Sequence, residues 1–290
     1  MRCAVLGSPV AHSLSPQLHR AAYVELGLDW EYDAHEVREE DLSAFLGGLD
    51  ETWRGLSLTM PLKRAVVPLL HQISEPAAQA QAANTVVLQD GLRFGHNTDI
   101  GGATAALRER YRGELGSATV IGGGATATSL LLALADLGCP AATVVVREPR
   151  RARDTLHAVA RHPRAPAMQV RTIEDLVAGG VGAADLVAST VPATAQTSEV
   201  VHACTDAAVV FDVVYDPWPT PLAAAALADG RALVTGLDLL VHQAVLQVAL
   251  FTGRRPTLRS LRAALPDLSA TPRSAASPRI RSATADRPSG

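Results

Sequence analysis

Short apolar runs alternate with helix-length stretches through the first hundred residues. Residues 3–6 read as a buried strand, and residues 16–26 as a helix that starts after a Ser15 N-cap with Pro16 in its first turn. Residues 30–35 form a second candidate strand and 42–49 a second helix. The strand predicted over 56–59 runs into Met60-Pro61-Leu62-Lys63, where Pro61 ends pairing because it has no N–H to donate. Whatever follows Thr59 therefore sits at a strand end. Helix-like stretches over 65–73 and 75–83 come next, and the turn Gln89-Asp90-Gly91 joins a strand at 85–88 to one at 93–95 as a hairpin. His96-Asn97-Thr98-Asp99 then opens a helix over 101–110, which either Asn97 or Asp99 can cap.

From Ser117 the alternation becomes regular. Strands are expected at 118–121, 143–146, near Val170, at 186–189, at 209–213 and near 233–234, with helices at 127–137 and 151–161. Such βα repetition predicts a parallel sheet with helices on both faces. The apolar segment 237–251 reads as one helix packed between layers. The expected fold is thus α/β in two domains: an N-terminal catalytic domain over residues 1–100, completed by 236–265, and a Rossmann-type dinucleotide-binding domain over 101–235. Residues 266–290, rich in Ser, Ala, Pro and Arg without apolar periodicity, are expected to be a disordered tail.

Composition narrows the function. With 290 residues, 48% of them hydrophobic, the chain can bury a full core. A net charge of -3 with no clustered basic face leaves no footprint for nucleic acid or an anionic membrane, so a small-molecule partner is expected. Cys3, Cys139 and Cys204 have neither disulfide-framework nor metal-site spacing and read as buried free thiols in a reducing compartment. The apolar run after Met1 is too short for a secretory segment, and no eighteen consecutive apolar residues occur. A cytoplasmic location is expected. The nine histidines lack metal-ligand spacing, so no metal is expected, and His12, His96 and His242 read as neighbours of the motifs.

Gly122-Gly123-Gly124-Ala125 follows a predicted strand and precedes a predicted helix. In that context G-x-G-x-x-A is a dinucleotide signature, because a Cβ-free turn lets backbone N–H groups approach a pyrophosphate at the helix N-terminus. After the next strand comes Arg147-Glu148-Pro149-Arg150-Arg151. Arginines there, Arg147 and Arg151 above all, favour the 2′-phosphate of NADP, whereas Glu148 leaves NAD open unless it pairs with an arginine.

Ser13-Leu14-Ser15-Pro16, Leu58-Thr59-Met60-Pro61-Leu62-Lys63, Asn84-Thr85, Asn97-Thr98-Asp99, the glycine turn, and Gly236-Leu237 with Gln243 occur in an order that resembles the shikimate dehydrogenase family over residues 1 to 265. The resemblance implies NADP-dependent reduction of 3-dehydroshikimate with Lys63 and Asp99 as catalytic pair. It implies that Ser13 and Ser15 hold the substrate carboxylate and that Thr59, Asn84, Asp99 and Gln243 meet ring hydroxyls and the reacting oxygen. Tyr215 would lie over the substrate, and Gly236 would join Gly122, Gly123, Gly124, Ala125, Arg147 and Arg151 at the cofactor. Lys63 is the only lysine in an arginine-biased chain, which singles it out as a proton donor. Gln243 on an apolar helix reads equally as a buried, satisfied amide.

The chain departs from the family where Ser57 stands in place of Asn and where Val146 and Glu148 flank Arg147. These departures keep alternatives open: an NAD-preferring quinate/shikimate dehydrogenase, a non-catalytic shikimate-binding sensor, or the same chemistry on an amino analogue. A monomer or a homodimer is expected.

Overall fold

The computed structural model describes residues 1–265; the tail expected over 266–290 lies outside the described residues. The first part of the chain comprises β1 (Arg2–Gly7), α1 (Ser15–Leu26), β2 (Glu31–Glu36), α2 (Leu42–Gly47), β3 (Trp53–Leu58), α3 (Leu62–Ala65), β4 (Gln72–Ile73), α4 (Glu75–Ala80), β5 (Thr85–Gln89) and β6 (Leu92–His96). Its strands form one mixed sheet in the order β2-β1-β3-β5-β6-β4. β1 pairs parallel with β2 and β3, while β3, β5 and β6 pair antiparallel. The hairpin turns at Asp90 and Gly91, both at positive φ, the backbone that matches the strand twist.

Three local expectations need correction. The helix expected over 65–73 stops at Ala65, gives way to a single 3-10 turn over Val67–Leu69 around Pro68, and ends as the edge strand β4 beside β6. Pro68 lacks the N–H that would carry the helix on. The helix expected over 75–83 stops at Ala80 because Gln81 turns left-handed, at φ 50°. Ser15 is not the N-cap of α1: it lies within the helix, Leu14 occupies the cap position, and the Ser13 hydroxyl accepts the Ser15 N–H at 3.3 Å.

α5 (Thr98–Arg110) carries the chain to a second sheet built from β7 (Ala118–Ile121), α6 (Ala125–Asp136), β8 (Ala141–Val146), α7 (Arg153–Ala160), β9 (Ala167–Thr172), α8 (Ile173–Gly179), β10 (Leu186–Ser189), α9 (Ser198–Ala203), β11 (Val209–Asp212), α10 (Pro221–Ala228) and β12 (Ala232–Thr235). Its strands are all parallel in the order β9-β8-β7-β10-β11-β12. β7, β10 and β11 are buried along their whole length, which is why they read as continuous apolar runs. Strand order reverses between β7 and β10, the position at which an open α/β sheet forms a ligand crevice.

α11 (Gly236–Thr252) brings the chain back, and α12 (Leu258–Ala263) follows it. α11 packs along α5, and a Cβ on Gly102 would lie 2.9 Å from Gln243 Cβ and 3.0 Å from the Gln243 backbone nitrogen. Glycine there lets the two helices approach closely. Leu237, Leu239, Val241, Ala244, Val248 and Phe251 are buried, so α11 is apolar on several faces because several layers cover it.

Candidate active site

Lys63 stands at the carboxyl end of β3. Thr59 leaves the sheet with its N–H on the Leu6 carbonyl at 2.9 Å, the Leu62 N–H closes a turn onto the Thr59 carbonyl, and α3 starts there with Lys63 in it. Asp99 lies in the first turn of α5, where the positive end of the helix favours a carboxylate. Asn97 is the cap, accepting the Ile100 N–H at 3.2 Å, so the Asp99 side chain is available for other partners. Lys63 Nζ donates to Asp99 Oδ2 at 2.6 Å, with the two side chains only 15% and 8% exposed. The Asn84 amide donates to the other oxygen, Oδ1, at 2.8 Å, so both ends of the carboxylate are held. Lys63 Nζ also reaches Thr126 Oγ1 at 3.4 Å, across to the helix that follows the glycine turn.

These groups line a cleft of about 200 Å3. Ser13, Ser15, Thr59, Lys63, Asn84, Asp99, Tyr215, Gln243 and Gly236 all face it, residues scattered from one end of the described chain to the other. Burial raises the Tyr215 phenol above its ordinary range, against the opposing pull of hydrogen bonds to Leu14 and Ser13. A larger depression of about 790 Å3, between Leu107 and Pro140, lies before the amino ends of β7 and β8 and contains none of the candidate residues. Chemistry therefore selects the smaller cleft.

The glycine turn leaves the carboxyl end of β7. Gly122 has φ 117°, and a Cβ there would strike Thr190 Oγ1 at 2.1 Å; a Cβ on Gly123 would lie 2.7 Å from the Arg151 carbonyl. Nothing lies within 4 Å of the position a Gly124 Cβ would take, so the turn is open on that side, and Ala125 begins α6. Thr155 and Thr128 hydroxyls hold the Gly123 and Gly124 carbonyls at 2.9 and 3.1 Å, and Arg64, beside Lys63, donates to both threonines. The turn is thus braced from within and tied to the lysine segment.

Arg147 and Arg151 follow β8. Glu148 pairs with Arg150 at 2.5 Å and lies 3.9 Å from Arg151, so its charge is engaged by neighbours. Among the described residues Arg147 has no carboxylate within ion-pair distance. This loop abuts an open, Cβ-free turn at a helix N-terminus, a donor set that fits a phosphorylated dinucleotide.

Sequence reasoning missed several participants. Thr126 and Gln247 line the cleft. Asp212, fully buried at the end of β11, accepts from Gln196 at 2.8 Å, Thr220 at 2.6 Å and the Val214 N–H at 3.1 Å, and burial raises its carboxyl above the usual range. It braces the strand ends beside the cleft. The three cysteines are buried and unpaired in disulfides. No helix among the described residues is long and apolar enough to cross a membrane.

Comparison with known proteins points to one family. Residues 5–86 match the shikimate dehydrogenase substrate binding domain, and residues 236–265 match the shikimate 5'-dehydrogenase C-terminal domain. A shikimate dehydrogenase (NADP(+)) of Moorella thermoacetica is 36% identical over 259 residues, covering 87% of this chain and 88% of the relative. The crystal structure of shikimate dehydrogenase from Mycobacterium tuberculosis superposes with a TM-score of 0.83 at 36% identity, covering 93% of this chain and 99% of that one. A Thermus thermophilus shikimate 5-dehydrogenase solved in complex with NADP(H) and shikimate gives 0.78 at 30% identity, covering 91% and 98%. This chain belongs to the shikimate dehydrogenase family.

Proposed function

We propose that this chain interconverts 3-dehydroshikimate and shikimate with NADP(H), and that Lys63 and Asp99 are its catalytic pair. The observation that carries the reading is the 2.6 Å Lys63–Asp99 pair in a cleft shared with every substrate candidate and tied through Thr126 to the glycine turn. When bound, the nicotinamide supplies the hydride for reduction and receives it in oxidation. Reduction leaves negative charge on the ketone oxygen, and the Lys63 ammonium both stabilises that charge and donates the proton that completes the alcohol. Two of its N–H groups engage Asp99 and Thr126, leaving the third for substrate. Asp99 holds the Lys63 head group in place and aims it. Oxidation reverses the transfer, with neutral Lys63 accepting the proton.

Ser13 and Ser15 offer hydroxyls to the substrate carboxylate, Thr59 and Gln243 meet ring hydroxyls, and Tyr215 covers the ring. Asn84 acts chiefly on Asp99, since its amide already donates to Thr98 Oγ1 at 2.9 Å as well as to Asp99. Gly122, Gly123, Gly124, Ala125, Arg147, Arg151 and Gly236 hold the dinucleotide, with Arg147 best placed by its lack of a carboxylate partner among the described residues to meet the 2′-phosphate. The domain division at residues 100 and 236 is supported by the two separate sheets with α5 and α11 between them. The reaction belongs to the cytoplasm, with a monomer or homodimer as the working unit; the buried free thiols support that setting.

Replacing Lys63 with Ala is expected to lower turnover by about 10²- to 10⁴-fold while weakening shikimate binding by no more than about ten-fold. Steady-state kinetics beside calorimetric binding reads both. Turnover left intact would remove Lys63 from the chemistry.

A further inference from the structure

Gln247 lies one helical turn beyond Gln243 on α11 and is only 1% exposed. One end of its amide sits 3.3 Å from the Asn84 carbonyl oxygen and 3.0 Å from Thr85 Oγ1. A backbone carbonyl only accepts, so that end must be the NH2 group and the other end the oxygen. Thr85 gives the same answer. The Thr98 N–H donates to Asn84 Oδ1 at 2.8 Å, which fixes that atom as oxygen; the Thr85 hydroxyl donates to it at 2.9 Å and so can only accept from Gln247.

The remaining oxygen, Gln247 Oε1, stands 2.9 Å from Ser57 Oγ. An amide oxygen cannot donate, so the single Ser57 proton is directed at Gln247. Tyr32, fully buried, then has to donate its own proton to Ser57 Oγ, at 2.6 Å. Ser57 lines the cleft with one unengaged lone pair and no proton to offer. Ser57 is thus a fixed acceptor: Gln247 takes its proton and Tyr32 fills one of its lone pairs.

We propose that Gln247 is a positioning residue that makes the Ser57 wall of the cleft acceptor-only, so that the enzyme selects substrates presenting a hydroxyl or protonated amine there. A group that only accepts, such as a carbonyl, ether or fluorine, meets a lone pair that cannot turn away. Polar sites built this way discriminate strongly because a mismatched ligand leaves a buried group unpaired. The proposal rests on the reading of shikimate as substrate and names one determinant of that specificity.

The test compares shikimate with two analogues, each carrying fluorine in place of one of the two non-reacting ring hydroxyls. Both kinetics, separating KM from kcat, and calorimetric binding are measured. The unaltered enzyme is expected to disfavour one analogue by about ten- to a hundred-fold in kcat/KM, carried mainly by KM and matched in binding. In Gln247→Leu the Ser57 proton is released, and that ratio should fall to within about three-fold. Tyr32→Phe, which leaves the Gln247–Ser57 bond in place, should retain it. A Gln247→Leu ratio equal to that of the unaltered enzyme, or no discrimination to begin with, overturns the proposal. Should Gln247→Leu fail to fold, Ser57→Ala must erase the ratio, and its persistence is equally fatal. Shikimate bound but not turned over sinks the proposed activity while the binding ratios still decide the role of Gln247; shikimate not bound at all sinks both.

Discussion

His19, on α1, is fully buried with its Nδ1 2.9 Å from the Ser15 carbonyl and its ring stacked on Tyr32 at 4.0 Å between centroids. The bond to a carbonyl places the proton on Nδ1, and Nε2 has no partner among the described residues. Burial pushes its pKa from 6.5 down to about 4. The unfolded chain takes up this proton below about pH 6.5 and the folded chain only near pH 4, so folded stability falls as pH drops through that window. The shift corresponds to roughly 3 kcal/mol. His19→Phe should flatten this part of the pH dependence, read from denaturant midpoints at about pH 7 and about pH 4.5; parallel losses in both proteins would contradict the assignment. Residues of this kind were least legible in the sequence. Lys63 stood out as the only lysine, but a buried amide such as Gln247 looks the same whether it serves a site or merely the core. Its role depends on Tyr32, Ser57 and Asn84, which only the fold brings together.

The elements that position the site are α5 and α11, the two crossings between the sheets. Their contact is close at Gly102, and the nearest atoms are Gln243 backbone and Cβ, which cannot swing aside. Gly102→Ala is expected to cost about 1–3 kcal/mol and to raise the KM for shikimate by displacing Gln243. Chemical denaturation with substrate kinetics checks both, and an unchanged stability would mean the helices part without cost. Most elements were legible because apolar strands and helices alternate with clear turn chemistry; the Asp90-Gly91 hairpin is one instance. Short helices without a one-sided pattern were not. α10 is apolar all round, as Pro-Leu-Ala-Ala-Ala-Ala-Leu-Ala, and so carries no amphipathic signature. In residues 65–73, a proline and pairing with β6 outweighed helical composition.

At the scale of the molecule, the carboxyl end of β3 and the first turn of α6 face one cleft, and the contact of Lys63 with Thr126 spans them. The parallel sheet and its glycine turn could be read locally, because strand, turn and helix are contiguous in sequence. The convergence of Ser13, Lys63, Asn84, Asp99, Tyr215 and Gln243 could not be derived from spacing; it was reached through family resemblance, and the cleft now gives it a physical basis. Glu148 is paired with Arg150, and under the proposed reading this frees Arg147 to meet the 2′-phosphate of NADP. The most direct test is the absorbance of reduced nicotinamide during oxidation of shikimate by the intact chain, with NADP and NAD side by side and quinate as the second polyol. Rapid reduction with shikimate and NADP, weaker with NAD or quinate, is the predicted result; binding of shikimate without cofactor reduction in any combination would contradict an enzymatic role.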